Sequence, residues 1–309
     1  MKLIKPNFWD EKIGILSILL YPLTLIYILT IFLKKRFTKI LKFKIPVICV
    51  GNIYLGGTGK TPISILLAKE LSKLGEKPSI IRKYYEDHED EYNLIKNNFD
   101  NLIVNKNRQD GLIKAEASGS NVAILDDGLQ DFCIRKNLKI VCFNTNQLIG
   151  NGLVLPSGPL RESLSSLKDA EIVIINGRKN EFFEKKLFKI NKKLEIFYSH
   201  YKPINLQEFK GKKLYAIAGI GNPQNFFKLI EDNNLKIFKK LIFPDHYRFS
   251  KDEIKNIISE AESNNYQVIM TEKDYFKVKD FDLINIGYLK VSLMIENQEK
   301  LISLIKKRI

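Results

Sequence analysis

The residues best suited to chemistry form a glycine-rich turn that ends in Gly59-Lys60-Thr61. The short apolar run Val47–Val50 leads into this turn, and apolar positions with helical spacing begin at Ile65. In a strand–loop–helix of this kind, backbone N–H groups wrap phosphates, the lysine reaches the terminal phosphates and the threonine hydroxyl holds Mg²⁺. The first glycine of the usual pattern would fall at Tyr54. The sequence therefore predicts a nucleotide phosphate loop, with the binding residues Gly56, Gly57, Thr58, Gly59, Lys60 and Thr61.

Two further stretches carry groups suited to phosphoryl transfer. Asp126 and Asp127 directly follow an apolar strand-like run, which is where a ligand of Mg²⁺ or of its waters belongs in a phosphate-loop protein. A loop rich in glycine and proline, residues 150–162, ends in Arg161 and Glu162. Arginine can neutralise charge on a transferred phosphoryl group. Composition alone also fits an ordinary surface loop.

The segment Glu86–Glu91 is an acidic stretch in a basic chain. It is either a solvated loop or the source of a carboxylate that accepts the proton of an acceptor hydroxyl. His246 follows a predicted strand end, where α/β sheets present ligand-binding groups. Thr271–Asp274 is similar to the guanine-reading Asn/Thr-Lys-x-Asp motif, but its lysine lies one place late, which argues against a GTPase.

The composition indicates a chain with an anionic partner. Its 309 residues are 45% hydrophobic, which is ample for a core, and the net charge is +15. No nucleic-acid motif accompanies this diffuse charge, so we do not expect nucleic acid to be the partner. Three cysteines without paired spacing predict buried free thiols, and three scattered histidines argue against a histidine-based zinc site.

Residues Ile13–Leu33 form a run of 21 residues without a charged side chain, close to the ~20 that a helix needs to cross a bilayer. Lys34, Lys35 and Arg36 follow at once. Pro22 would kink a helix, so the segment either spans the membrane or inserts into one leaflet with its basic flank on anionic headgroups. The alternative is a buried helix of a soluble core. The length and the abrupt basic end favour membrane attachment.

From Lys44 onward, apolar runs alternate with helical segments, which is typical of an α/β protein. We predict a P-loop NTPase-like α/β/α core domain, a smaller second α/β unit and an N-terminal apolar membrane-associated helix. The predicted domains are residues 1–40, 41–200 and 201–309, with a weakly patterned linker at Phe197–Phe209. The predicted strands are Pro46–Val50, Pro78–Ile81, Leu102–Val104, Val122–Leu125, Ile140–Phe143, Glu171–Ile175, Lys213–Gly219, Lys236–Phe243, Val268–Thr271 and Tyr288–Leu293.

The ordered motifs resemble those of the tetraacyldisaccharide 4′-kinases, the lipid A 4′-kinases of Gram-negative bacteria. The likeness covers nearly the whole chain. Its most specific parts are the phosphate loop, Leu125-Asp-Asp-Gly-Leu-Gln130 and Pro156-Ser-Gly-Pro-Leu-Arg-Glu162. The chain departs from the family pattern at Tyr54, Lys83 and Asp131, where threonine, glycine and histidine are usual.

This resemblance implies transfer of the ATP γ-phosphate to the 4′-hydroxyl of a lipid A disaccharide 1-phosphate precursor. It implies a site in the cleft between two α/β/α units, with the second unit closing over it, on the cytoplasmic face of the inner membrane and near its anionic surface. By motif match, Asp90 is the catalytic carboxylate, His246 supports it and Arg161 acts on the transferred phosphoryl group.

The resemblance also implies Mg²⁺ as a cofactor beside ATP. Lys60 and Thr61 would hold the phosphates and the metal, and the acidic groups that serve the metal are Asp126, Asp127 and Glu162. Without the resemblance, the phosphate loop and apolar segment would also fit a membrane-attached nucleotide switch or targeting NTPase. A cytosolic ligase or small-molecule kinase is the third hypothesis.

Overall fold

The computed structural model describes residues 5–245 and 247–309, and its contacts divide them into two compact units. The larger unit contains residues 5–84, 99–200 and 295–309. The smaller unit contains residues 85–98 with the described part of 201–294. The acidic segment predicted within the core domain thus belongs to the smaller unit, and the C-terminal helix belongs to the larger one.

The helices and strands alternate along most of the chain. The strands are β1 Val47–Gly51, β2 Pro78–Lys83, β3 Leu102–Asn105, β4 Val122–Asp126, β5 Leu138–Asn144, β6 Ile172–Asn176, β7 Glu195–Pro203, β8 Lys213–Ala218, β9 Ile237–Ile242, β10 Tyr266–Thr271, β11 Ile286–Leu289 and β12 Val291–Ile295. The α-helices are α1 Ile15–Leu19, α2 Tyr21–Phe37, α3 Lys60–Lys73, α4 Glu89–Lys96, α5 Arg108–Ala117, α6 Glu181–Ile190, α7 Pro223–Asp232, α8 Lys251–Ser263, α9 Glu272–Tyr275 and α10 Gln298–Lys306.

The larger sheet has the strand order β12-β7-β6-β5-β1-β4-β2-β3, and the pairs from β7 through to β3 are parallel. The α/β class with a parallel sheet is confirmed. Strand β1 lies near the middle, and its register places Val50 beside Asp126 of β4. Because carboxyl ends of parallel strands share one edge, the phosphate loop after β1 and the acidic pair after β4 meet there.

The smaller sheet has the order β11-β10-β8-β9, again with parallel pairs. Its central strand β8 alternates between two apolar faces. Leu214, Ala216 and Ala218 pack with the buried phenylalanines of α7. Tyr215 and Ile217 pack with the isoleucines of α8. Helices therefore cover both sides of this sheet and give the smaller unit its three layers.

Two sequence predictions about strands were wrong. The expected linker at Phe197–Phe209 begins inside β7, where Phe197, Tyr198 and Ser199 are buried and pair with β6. The buried stretch is short and contains a serine, so it gave no clear apolar pattern. The single strand expected at Tyr288–Leu293 is two strands, β11 and β12, separated at Lys290.

The N-terminal apolar segment forms two helices, α1 and α2, that break at Leu20. Pro22 lies in the first turn of α2, where its missing N–H would have no intrahelical partner. The proline therefore follows a helix break and does not kink one continuous helix. In the part of the chain that the structure describes, no helix is both long enough and apolar enough to cross a membrane.

Helices α1 and α2 bury polar side chains and expose apolar ones. Ser17 and Thr24 are buried, and the Thr24 hydroxyl donates to Ser157 Oγ at 2.8 Å while accepting from the Ser157 N–H at 3.1 Å. Asn151 Nδ2 donates to Ser17 Oγ at 3.2 Å. Large apolar side chains that stay exposed on these helices include Ile15, Leu16, Ile18, Leu19, Leu23, Leu25, Ile26, Leu29, Phe32 and Leu33. This arrangement inverts the usual surface helix, whose apolar face packs inward.

The three cysteines are free thiols, with Cys49 and Cys142 buried and Cys133 partly exposed. Burial raises the pKa of Cys49 to about 11. Burial also raises the pKa of the Cys133 and Cys142 thiols. Cys49 and Cys142 pack as small apolar groups, whereas Cys133 Sγ donates to Asp131 Oδ1 at 3.1 Å and accepts from Gln109 Nε2 at 2.8 Å.

Candidate active site

The phosphate loop has a prepared shape. Gly59 caps helix α3 with a φ of 87°, a left-handed conformation that glycine adopts without steric cost. Asn52 Nδ2 donates to the Gly56 carbonyl at 3.1 Å and to Thr58 Oγ1 at 3.0 Å, which ties the two sides of the loop together. Lys60 then opens α3, so the positive end of that helix dipole faces the loop. Backbone and dipole together favour an anion at this position.

Lys60 and Arg161 converge on the carboxylate of Asp127. Lys60 Nζ lies 3.7 Å from Asp127 Oδ1, and Arg161 Nη1 lies 3.1 and 3.2 Å from its two oxygens. Burial raises the pKa of Asp127, but the surrounding cations outweigh it, so the net pKa is well below the ordinary value. Burial lowers the pKa of Lys60, and the charge of Asp127 opposes that effect. A terminal phosphate would offer the same two cations a second anionic partner.

Asp126 has different surroundings, because it is fully buried among hydroxyls and one arginine. Its Oδ2 accepts from Thr61 Oγ1 at 2.9 Å, and its Oδ1 accepts from Ser64 Oγ at 3.1 Å. Arg82 Nη1 donates to Asp126 Oδ2 and also to Thr61 Oγ1, the latter at 3.1 Å. The Arg82 guanidinium therefore contacts both Asp126 Oδ2 and the Thr61 hydroxyl oxygen. Hard oxygen donors that converge on a positive charge are the donor set that Mg²⁺ prefers, so these residues fit that metal.

Glu162, the third acid predicted to serve the metal, is held by two side chains of the larger unit. It is buried, its Oε2 accepts from Lys35 Nζ at 2.5 Å, and its Oε1 accepts from Gln130 Nε2 at 2.9 Å. Its role toward the metal stays a prediction. Across residues 5–245 and 247–309, no group of three histidine, cysteine or acidic side chains is arranged to hold a metal ion.

Asp90 lies in the first turn of α4 and is only 5% exposed, so the acidic segment is not simply a solvated loop. Its Oδ1 accepts from the Glu91 N–H at 2.8 Å. The Nζ atoms of Lys273 and Lys277 each lie 3.4 Å from Oδ2. His246, predicted to support Asp90, lies outside the described residues.

Thr271–Asp274 forms the start of α9 and organises the same part of the smaller unit. The Thr271 hydroxyl donates to Asp274 Oδ2 at 2.7 Å and accepts from the Asp274 N–H at 3.1 Å. The Gly219 N–H also donates to that carboxylate, at 2.8 Å, and Lys277 Nζ donates to its other oxygen at 2.8 Å. This motif is a helix-capping structure of the kind that a threonine and an acid three residues later form.

The unusual residues Tyr54 and Asp131 each have local partners. Tyr54 is fully buried and donates to Asp10 Oδ1 at 2.6 Å. Asp131 Oδ2 accepts from Arg108 Nη1 at 3.2 Å, and Arg108 Nη2 donates to the Asp127 carbonyl at 2.7 Å. Sequence reasoning assigned no role to Arg108 or Arg82, because only the folded sheet brings them to the acidic pair.

A phosphate loop at the carboxyl edge of a parallel sheet, with a threonine–aspartate pair and two cations beside it, defines a P-loop nucleotide-binding protein built for phosphoryl transfer. Comparisons with known proteins narrow this class. A sequence model of the family described as tetraacyldisaccharide-1-P 4′-kinase matches residues 16–309. The chain belongs to this tetraacyldisaccharide 4′-kinase family. It is accordingly an ATP-dependent phosphotransferase that acts on the 4′-hydroxyl of a lipid A precursor.

Individual relatives agree with the family match. A tetraacyldisaccharide 4′-kinase of Pelagibacter ubique (strain HTCC1062) is 41% identical over 305 residues, which cover 97% of this chain and 96% of the relative. A protein of the same name from Rickettsia bellii (strain OSU 85-389) is 32% identical, with 100% and 99% covered. A crystal structure described as the "apo" form of LpxK from Aquifex aeolicus in complex with ATP has a TM-score of 0.73 at 24% identity, covering 95% of this chain and 99% of that one. This last likeness shows the fold.

Proposed function

We propose that the chain binds ATP at loop 56–61 and transfers its γ-phosphate to a tetraacyldisaccharide 1-phosphate at the membrane surface. The observation that carries the proposal is the convergence of Lys60 and Arg161 on Asp127 beside the Thr61–Asp126 pair. Cations fixed in advance around transferring phosphoryl oxygens supply most of the rate enhancement in this chemistry.

Thr61 and Asp126 would hold Mg²⁺, with Asp127 beside it. The metal, when bound, would neutralise charge on the phosphate oxygens. Ser64 keeps the Asp126 carboxylate in place, and Lys60 and Arg161 orient the terminal phosphate. The oxygen chemistry and the burial of Thr61 and Asp126 support this assignment.

Asp90 would accept the proton of the 4′-hydroxyl. A sugar hydroxyl is a poor nucleophile at neutral pH, so a carboxylate base in contact with it favours attack on phosphorus. The burial of Asp90 and its lysine partners support this role, since solvated acids on a surface are not held in one orientation. The supporting role of His246 stays a prediction.

Helices α1 and α2 would insert into one leaflet of the inner membrane, on its cytoplasmic face. Their apolar side chains are exposed while Ser17 and Thr24 are buried, which suits contact with lipid. An exposed basic flank fits anionic headgroups; it consists of Lys34, Lys35 and Arg36 in the last turn of α2 and of Lys39, Lys42 and Lys44 after it. The lipid acceptor would then be reached from the bilayer.

The direct test incubates the purified protein with γ-labelled ATP, Mg²⁺ and the tetraacyldisaccharide 1-phosphate in detergent micelles. Label should appear in the lipid, and Asp90→Asn should slow transfer by about 10³-fold while ATP binding persists. Glu89→Gln is the matched control, because Glu89 is an exposed acid in the same helical turn. An unlabelled lipid product would refute the proposed reaction. Normal transfer by Asp90→Asn would refute only the proposed base.

A further inference from the structure

We propose that Lys273 and Lys277 are positioning residues that hold Asp90 ionised and correctly oriented for proton acceptance. The inference rests on the proposed role of Asp90 as base. It gives Thr271–Asp274 and the turn after it a function that the guanine-reading interpretation could not supply. Neither lysine is proposed to touch substrate.

Burial of the Asp90 carboxylate carries a cost in free energy. Removal from water disfavours the charged form of an acid, and Asp90 is only 5% exposed. Two ammonium groups, each 3.4 Å from Oδ2, oppose that cost. Because both act on the same oxygen while the Glu91 N–H binds Oδ1, they also fix the plane of the carboxylate.

Both lysines are themselves held in place by other groups of the smaller unit. Lys277 Nζ donates to Asp274 Oδ1 at 2.8 Å and to the Gly219 carbonyl at 3.4 Å. Lys273 Nζ donates to Asp245 Oδ1 at 3.0 Å and lies 3.6 Å from Glu91 Oε1. Their side chains are 15% and 10% exposed for Lys273 and Lys277. A fully exposed lysine would lose more side-chain entropy than these two lysines do when it forms such an ion pair.

The elements packed with Asp90 carry both acids and lysines. The described charged or titratable groups on these elements are His88 before α4, Glu89, Glu91, Tyr92 and Lys96 of α4, Glu272, Lys273, Asp274 and Tyr275 of α9, Lys277 in the turn after it, and Asp245 after β9. Acids outnumber lysines in this set. Loss of one lysine would therefore leave Asp90 among like charges, which favour its protonated form.

The test measures kcat/KM from about pH 4 to pH 9.5 for Lys273→Met and Lys277→Met, since an ordinary aspartate titrates near the lower end of this range. The acid limb of the profile reports the protonation of the base in the free enzyme. We expect this limb to move up by about one pH unit, which is about a tenfold loss below the limb and recovery at alkaline pH. Lys273→Arg and Lys277→Arg should return the limb to its original position.

Lys279→Met is the matched control, because Lys279 is exposed, lies in the same stretch and packs over the Phe276 ring. It should leave the profile unchanged. An equal loss at every pH with an unmoved limb in both methionine variants would overturn the inference. Since Lys277→Met removes a partner of buried Asp274, thermal melting would show whether it folds, and Lys273→Met keeps the test decisive if it does not.

Asp90→Asn in the same assay separates the two proposals. Retained activity in that variant would mean that Asp90 is not the base, whatever the lysine variants do. An inactive Asp90→Asn variant with unmoved limbs in the lysine variants would reject the positioning role alone. ATP affinity, measured by calorimetry, should be unchanged in all of these variants.

Discussion

Asp126 and Asp127 are neighbours in sequence, yet they have different physical roles. Asp126 is fully buried with the Arg82 guanidinium and the Thr61 and Ser64 hydroxyls. Asp127 is about one-fifth exposed and faces Lys60 and Arg161. The sequence predicted an acidic pair for the metal and its waters but could not distinguish its members. The contact with Thr61 favours Asp126 as the closer ligand of the proposed Mg²⁺ ion.

Because of this difference, we expect Asp126→Asn to reduce the stability of the fold more than Asp127→Asn does, and we expect Asp127→Asn to act mainly on turnover. Asp126→Asn removes the charge that compensates buried Arg82 and should lower the free energy of unfolding by about 3 kcal/mol. Asp127→Asn should lower it by less than Asp126→Asn does, because Asp127 is about one-fifth exposed, while turnover falls at least about 100-fold. Asparagine tolerates the positive φ of residue 127.

Urea unfolding of the metal-free protein and steady-state kinetics check this prediction. The Asp127→Asn variant serves as the control for Asp126→Asn, since both lose one carboxylate from the same turn. Equal destabilisation by the two changes would contradict the distinction drawn between them.

Among individual residues, the sequence predicted those site residues that belong to one local motif. Gly59, Lys60 and Thr61 are adjacent, and their spacing fixes their joint chemistry. The Lys273 and Lys277 contacts with Asp90 were not predictable in this way, because the partners are far apart in the chain and meet only in the folded smaller unit. The contact of Glu162 with Lys35 was unpredictable for a similar reason, since Lys35 comes to it from helix α2.

Among the elements, α1 and α2 are attached to the larger unit through polar contacts. Thr24 is buried, its hydroxyl donates to Ser157 Oγ and accepts from the Ser157 N–H, and the Val154 carbonyl oxygen lies 3.2 Å from Thr24 Oγ1. Thr24→Val keeps the shape but leaves the Ser157 N–H without this acceptor. We expect a loss of about 2 kcal/mol in the free energy of unfolding.

Thr30→Val is the control for that change, because the Thr30 hydroxyl is exposed and donates only within its own helix, to the Tyr27 carbonyl at 2.7 Å. Differential scanning calorimetry should show a lower Tm for Thr24→Val and a nearly unchanged one for Thr30→Val. Equal Tm values for both variants would mean that α2 is not fastened through Thr24.

The predictability of the elements follows their burial. Strands β1 and β4 are buried along their whole length and read as continuous apolar runs, so the sequence located them. Strand β7 mixes buried and exposed positions and carries lysine and histidine, so a sequence pattern did not separate it from a loop. The break between α1 and α2 also escaped prediction, because apolar character does not change across Leu20.

For the whole molecule, the charge of +15 and the exposed apolar face of α1 and α2 would both act on the proposed partner, an anionic membrane surface. Basic residues near an anionic surface contribute about 1 kcal/mol each at low salt, and the apolar side chains add burial in the interface. The protein should therefore bind vesicles that contain anionic phospholipid more tightly than neutral vesicles. Salt should weaken the electrostatic contribution of the basic residues and leave the contribution of the apolar side chains unchanged.

Vesicle flotation with purified protein tests both contributions separately. Replacing Ile26 and Phe32 of α2 by glutamine should reduce binding to anionic and neutral vesicles by at least about tenfold, since both side chains are 60% exposed. Ile284→Gln removes an even more exposed apolar group, 87% exposed, from the smaller unit and should leave binding unchanged. Unaltered Tm values would show that the α2 variants are folded. If the unaltered protein, the variant with both Ile26 and Phe32 replaced, and the Ile284→Gln variant floated alike, α2 would not be the membrane contact. The lipid acceptor would then have to reach the kinase by another route.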